Sequence, residues 1–349
     1  MAKALQANLF WQQSRKALLI DVRSPAEFLR GHIPGAVNMP LFSNEERAQI
    51  GTLYKQAGKR EAVEAGLEIV GPKIPSFVQF VKPLVSNNTI YIHCWRGGMR
   101  SGSVAWLMET AGYEVFTLSG GYKSFRHFAA VELSKPRPYL ILGGPTASAK
   151  TPVLHQLQRA GEQVLDLEAI AHHRGSAFGA IAQPDQPTQE TFENRLFEKL
   201  IDFNSDQPVW VEDESRGIGK CFLPPNFRDQ LRQSPLFFIE RNKEVRIKEA
   251  VRCYGDASKE ELIACFEKIE RRMGSEAMRK AVQHVHANEL EAAVALALHY
   301  YDKAYRHSLE QRGNGPVQFL KFEDQDTASI AMALLQHAKK TANRSIETI

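Results

Sequence analysis

Short runs of β-branched and aromatic residues alternate along the chain with stretches of helical period, the pattern of an α/β protein. In the first part, strands are predicted at Ala17–Val22, Thr89–His93 and Tyr113–Leu118, and helices at Asn44–Gln56, Ser76–Val81 and Ser101–Thr110. The segment Ser134 to Pro138 breaks the pattern. Its two prolines lack amide donors and push their preceding residues out of the helical region, which marks a linker. One domain is therefore expected over residues 1–134 and a second over 135–349. The second opens with a strand at Tyr139–Leu142, a glycine-containing turn and a helix at Thr151–Arg159. Further strands are predicted at Gln163–Leu167, Pro208–Val211, Leu236–Ile239 and Val317–Phe322, and a helix at Thr327–Lys340. Residues 243–311 read as almost wholly helical, an insertion within the second domain. Two parallel-sheet α/β domains are expected, the second with a helical subdomain.

Composition narrows the class. The chain has 349 residues, which fits two domains at about 150 residues each. With 43% hydrophobic and 24% charged residues, it is not a disordered chain. The longest apolar stretch, Ala292–Leu298, falls far short of the roughly 20 residues a bilayer requires, and no membrane partner is expected. The opening MAKALQANLFWQQSRK lacks the apolar core and small-residue cleavage site of a secretory signal. The four cysteines, Cys94, Cys221, Cys253 and Cys265, form no CxxC pair, which argues against disulfides and a cysteine zinc site; a reduced, cytoplasmic protein is expected. A net charge of +4 permits an RNA partner without requiring one.

The most informative stretch runs from Thr89 through Cys94 and Arg100 to Ser101. An apolar strand ends at the cysteine, a loop with Gly97 and Gly98 follows, and Ser101 opens a helix. Such a loop wraps amide N–H groups around the sulfur, and the helix start adds partial positive charge. Arg96 and Arg100 add full charges, so thiolate is favoured and Cys94 is the expected nucleophile. Cys221, Cys253 and Cys265 lack such loops and are expected to be passive. The pattern His-Cys-x5-Arg-Ser is shared by cysteine phosphatases and by rhodanese-type sulfurtransferases. The flanks Ile20–Phe28, Gly31–Asn38 and Gly120–Tyr122 resemble rhodanese signatures. A family of cell-cycle phosphatases is related to rhodanese, so phosphatase chemistry stays open.

Gly143 to Thr151 lies between a strand and a helix and reads as a P-loop. Gly144, Thr146, Ser148, Lys150 and Thr151 are the candidate phosphate or diphosphate ligands, with Thr151 also placed to hold magnesium. The residue before the lysine is Ala149 rather than glycine; its methyl group is expected to crowd a phosphate or strain the backbone. Glu212, Asp213 and Glu214 follow an apolar strand, as in a Walker B element, where a carboxylate holds a metal. His172, His173, Arg174 and Gly175 form a polar turn that is a candidate substrate loop; adjacent histidines diverge, which disfavours a two-histidine metal site. The basic residues of 241–280, Arg246 among them, are open to two readings: solvated helix faces with i,i+4 pairs, or a phosphate-tracking RNA surface.

A rhodanese-like domain followed by a P-loop domain is an uncommon order. Together with Ser43–Arg47, Gly51–Gln56, the Cys94 loop, Ala171–Gly179, Val211–Arg216 and Tyr300–Lys303, it resembles the tRNA 2-selenouridine synthase family. The loop Gly144 to Ser148 is also similar to that of tRNA dimethylallyltransferases. The resemblance implies action on wobble 2-thiouridine in the tRNAs for Lys, Glu and Gln. It implies S-geranylation with geranyl diphosphate at the P-loop, then replacement of the geranylthio group with selenium from selenophosphate. Cys94 would carry selenium as a selenosulfide, Arg96 and Arg100 would bind selenophosphate, and selenophosphate synthetase would be a partner. Rival readings are a sulfurtransferase fused to a P-loop kinase, a Cys-x5-Arg phosphatase, and a non-catalytic module with a decayed P-loop.

Overall fold

A computed structural model of the protein describes residues 2–310, 312 and 315–346. The chain divides into two compact units, and the expectation of parallel-sheet α/β folds holds in both. The first unit runs up to Glu132 and also takes in Thr188–Glu198. Its strands are β1 (Lys3–Leu5), β2 (Leu18–Asp21), β3 (Val37–Asn38), β4 (Thr89–His93) and β5 (Glu114–Leu118), in the order β1-β5-β4-β2-β3. Every pairing is parallel, so the central strands are covered on both faces and read as unbroken apolar runs. Ile20, Ile90, Ile92, Val104 and Met108 form the core beneath the cysteine loop.

Local sequence fixes the flanking helices. Ser24 and Glu27 form a reciprocal capping box around Pro25, and Ser43 with Glu46 does the same for Asn44–Gln56. A single boundary at 134 leaves Thr188–Glu198 in the second part, and the structure corrects this. Phe197 packs against Trp11 and Phe125, and Asn194 Nδ2 donates to the Tyr122 hydroxyl at 2.9 Å and the His32 carbonyl at 2.7 Å. Helices with no forecast from the apolar pattern occupy Ala7–Ser14, Lys59–Val70, Gly121–Ser134, Gln189–Ile201 and Pro225–Gln233.

The second unit holds β6 (Tyr139–Gly143), β7 (Gln163–Leu165), β8 (Val209–Glu212), the short hairpin β9 (Gly217–Ile218) and β10 (Cys221–Phe222), β11 (Leu236–Arg241) and β12 (Val317–Phe322). Its main sheet has the order β12-β11-β6-β8-β7 and is parallel throughout. β7 stops before Leu167 because Asp166 caps a short helix, Leu167–Ala171, accepting from the Ala169 amide at 2.8 Å. The helical insertion comprises Lys243–Tyr254, Lys259–Met273, Ser275–His286 and Leu290–Glu310. Gln311, the last residue of the forecast, lies outside the described residues. Phe178, Leu262, Phe266, Ala281 and Val285 form this subdomain's own core. No helix among the described residues is long and apolar enough to cross a membrane.

Candidate active sites

Cys94 directly follows β4, the central strand of the first sheet, and the helix Met99–Thr110 starts earlier than the Ser101 start forecast. Between them the backbone turns back on itself. Gly97, at φ +65°, lies so close to the chain around Gly121 that a Cβ on Gly97 would meet the Leu118 carbonyl oxygen at 2.4 Å. A Cβ on Gly121 would meet the Gly97 amide nitrogen at 2.4 Å. The loop closes because neither residue has a side chain.

Inside this cradle Cys94 is 3% exposed. Its Sγ lies 3.2 Å from Ser101 Oγ. Burial raises the thiol, but the Ser101 hydroxyl and the amides of Ser101, Gly98 and Arg96 outweigh it, and the group ionises below an ordinary cysteine. By contrast, burial raises the thiols of Cys253 and Cys265. The arginines contribute differently from the forecast. Arg96 acts on the sulfur through its amide, and its side chain is exposed. Arg100 donates to Glu27 Oε2 at 2.8 Å, and burial of that carboxylate is more than offset by Arg100 together with the Ser24 amide and Arg47. The group that short-range reasoning missed is Ser101, which reads as a helix opener. Its hydroxyl has one proton and two acceptors, the sulfur and the Gly98 carbonyl at 3.1 Å.

Ser101→Ala is accordingly expected to raise the Cys94 pKa. The pH profile of iodoacetamide labelling, read at Cys94 by peptide mapping, checks this; an unmoved profile contradicts the assignment. Beneath the cradle, Arg23 is bidentate to Asp21, with Nη2 to Oδ2 at 2.6 Å, and its guanidinium lies 3.9 Å from the Tyr122 ring centroid. Buried His93 is held neutral, chiefly by desolvation.

In the second unit, β6 runs between β11 and β8 and delivers the loop Gly144 to Ala149 to the helix Lys150–Arg159. Ala147 and Ala149 both adopt left-handed angles, φ +62° and +64°. The strain expected of Ala149 is thus present and is matched two residues earlier. A left-handed L-residue costs about 1–2 kcal/mol, so Ala149→Gly is expected to stabilise the protein by about 0.5–1 kcal/mol after the extra entropy of the unfolded glycine. A thermal unfolding midpoint that falls or stays put contradicts this.

Ser148 Oγ is buried in the loop without a hydrogen-bond partner, a donor suited to an anion. Lys150 Nζ donates to the Gly144 carbonyl at 3.1 Å. Thr146 lines the cavity, and its carbonyl accepts from Arg246 Nε at 2.9 Å. Arg246 is buried and bidentate to Asp302, which removes it from the basic surface considered above. Lys280 with Glu276 forms an i,i+4 pair of the solvated-face reading, and Arg252 with Glu249 a pair at i,i+3.

Thr151 Oγ1 donates to Glu168 Oε2 at 2.9 Å and lies 3.3 Å from Glu212 Oε2. Glu168, Glu212 and Glu214 offer carboxylate oxygens within 4.8 Å of one another. Glu168 was absent from the forecast; no motif marks a residue at the start of the helix after β7. Asp213, forecast with its neighbours, lines the same cavity but stays outside the carboxylate cluster. Its carboxylate accepts from Tyr305 at 2.8 Å and Arg312 at 2.6 Å, a structural role. The candidate substrate loop also splits. Arg174 and Gly175 line the cavity, while His172 bonds the Asp185 carbonyl and His173 is buried. The cavity itself is about 310 Å³.

The oxygen-only donor set around Thr151 fits magnesium. Burial and then Glu168 push Glu214 up to about 8, and burial with Glu168 drives Glu212 well above the ordinary range. A carboxyl whose folded pKa exceeds its unfolded value binds its proton more tightly when folded. Its stabilising effect is full below the ordinary value of 4.5 and is lost as pH rises towards 8. The metal-free melting temperature is thus expected to fall over that window, and magnesium to offset the fall. A flat profile contradicts the cluster.

Two families match the chain. The rhodanese-like domain family matches residues 1–127, and the tRNA 2-selenouridine synthase AAA domain family matches residues 137–340. The chain is 40% identical to the tRNA 2-selenouridine synthase of Nitrosomonas europaea over 66% of its own length and 61% of that protein's, so this match spans less than two thirds of the relative. It is 37% identical to the enzyme of the same name from Alcanivorax borkumensis, over 86% of this chain and 91% of that one. A cradled thiol on a rhodanese-like sheet and a phosphate loop ringed by carboxylates are what those matches join in one chain, which belongs to the tRNA 2-selenouridine synthase family.

Proposed function

We propose that the chain converts wobble 2-thiouridine of tRNA to 2-selenouridine in two stages, each served by one unit. In the first, the thiocarbonyl sulfur attacks the allylic carbon of geranyl diphosphate and diphosphate leaves. Allylic diphosphates ionise readily, so the protein's task is to neutralise the leaving group. Lys150, the Ser148 hydroxyl and the amides of the loop do this. Thr151, Glu168, Glu212 and Glu214 would hold magnesium, which supplies further positive charge to the diphosphate.

In the second stage the Cys94 thiolate attacks selenium of selenophosphate, forming an S–Se bond as the Se–P bond breaks and phosphite leaves with its electron pair. The selenium then displaces the geranylthio group, which leaves as geranylthiol, and a small cellular thiol cleaves the S–Se bond, becoming a disulfide with Cys94. Arg96 and Arg100 receive the selenophosphate anion; Arg100 reaches it by exchanging its bond to Glu27. The observation that carries the reading is the Cys94 sulfur, acidified within an amide cradle although it is 3% exposed. The tRNAs for Lys, Glu and Gln are the proposed substrates, selenophosphate synthetase the proposed supplier and the cytoplasm the proposed location.

The test supplies purified protein with tRNA bearing 2-thiouridine and resolves the nucleosides by mass spectrometry. Geranyl diphosphate alone should give S-geranyl-2-thiouridine, and added selenophosphate should convert it to 2-selenouridine. Selenium incorporation without geranyl diphosphate overturns the intermediate; no incorporation under any condition overturns the function.

A further inference from the structure

Beside the phosphate loop, the helices Lys259–Met273, Ser275–His286 and Leu290–Glu310 help to enclose a second cavity, about 50 Å³, whose walls present only carbon to the space. Phe178, Leu262, Phe266, Val285, Ala293 and Ala297 are among its lining residues. It adjoins the phosphate cavity through five shared residues: Thr146, Ser176, Ala250, Tyr254 and Tyr301. At this junction the Tyr301 hydroxyl accepts from the Ala177 amide at 3.1 Å, so its polar end is already engaged and its ring is left to the wall. Along the helix Leu290–Glu310, Tyr301, Ala297 and Ala293 recur every four residues and form one line. That line leads about 12 Å from the phosphate side into the apolar space.

A ligand spanning both cavities carries anionic oxygen at one end and hydrocarbon at the other. A nucleotide does not fit this description. Its base and ribose bring donors and acceptors that would enter the carbon-walled space unmet. We propose that the apolar cavity receives the far end of the hydrocarbon chain of an allylic diphosphate whose charged end lies on the phosphate loop, and that Ala293 and Ala297 set the chain length accepted. The inference rests on the reading of that loop as a diphosphate site. It adds where the chain goes and which residues measure it. Each methylene withdrawn from water favours binding, and an alanine at either position leaves room for methylenes that a larger side chain displaces.

The experiment measures binding of inorganic diphosphate, dimethylallyl diphosphate, geranyl diphosphate, farnesyl diphosphate and ATP to the full-length protein with magnesium and without tRNA. Wild type is expected to prefer geranyl diphosphate over inorganic diphosphate by about tenfold or more. Ala297→Phe and Ala293→Phe should erase that preference while inorganic diphosphate still binds, which also shows the fold intact. Phe266→Ala, a change of opposite sign, should shift preference towards farnesyl diphosphate and decides the matter if the filled variants do not fold. Equal binding of inorganic and geranyl diphosphate by wild type, or tighter binding of ATP, overturns the inference. So does an unchanged preference in folded variants. Binding of no diphosphate by wild type overturns the loop reading, and this inference with it.

Discussion

Cys94→Ser is expected to abolish selenium incorporation, a loss of at least about a thousandfold, while S-geranylated tRNA still forms. The substitution keeps the shape of the side chain, and the partners around the sulfur, Ser101 and the amides of Arg96 and Gly98, can bond an oxygen as well. What it removes is an atom that ionises more readily than an ordinary thiol and, in the proposed mechanism, bonds selenium. The cradle lowers a thiol already within reach of neutral pH, but it cannot bring an alcohol into that range. Ser101→Ala, by contrast, weakens the anion without deleting it and should leave a measurable rate. Nucleosides from cells carrying Cys94→Ser are to be resolved by mass spectrometry. Normal 2-selenouridine removes Cys94 from the mechanism, and loss of both selenouridine and the geranylated nucleoside points to a damaged fold.

Lys150→Ala is expected to slow geranylation by about 100- to 1,000-fold. Lys150 is the cation at the start of the helix that follows the loop, bonded to the Gly144 carbonyl and close enough to lower the acidic groups Glu168 and Glu214. Removing it leaves a diphosphate facing three carboxylates with less positive charge to balance them. tRNA that already bears the S-geranyl group bypasses this step, and its selenation by the Lys150→Ala protein should be normal. Wild-type conversion of 2-thiouridine with geranyl diphosphate by the variant contradicts the assignment. Defective selenation of pre-geranylated tRNA would contradict the division of labour between the units.

Much of this was legible because both chemical loops are local objects. A strand end, a glycine turn and a helix start occupy adjacent residues at Cys94 and again at Lys150, so the chain itself specifies them. The parts that were not legible depend on residues distant in sequence. Glu168 reaches Thr151 because β7 lies beside β8, and nothing in its own neighbourhood announces that. Asp213 and its neighbours read alike in sequence; only Tyr305 and Arg312, arriving from much later in the chain, separate a clamp from a ligand. Arg246 looked like one of many surface cations until Asp302 buried it. Thr188–Glu198 carries an ordinary amphipathic pattern, and periodicity does not say which core a helix joins.

Under the proposed chemistry, the near-complete enclosure of Cys94 would make its loop a size filter. A thiolate open to bulk solvent in a thiol-rich compartment exchanges with glutathione and is lost to mixed disulfides. Here the sulfur is enclosed by its own loop, which in the proposed mechanism would exclude a tripeptide and admit a small inorganic donor. In the proposed mechanism a chalcogen attached to Cys94 would stand a bond length beyond the sulfur, so loading itself would carry the reactive atom outward. Acidity and concealment, which usually oppose each other, would then be reconciled by letting the freight rather than the carrier meet the RNA.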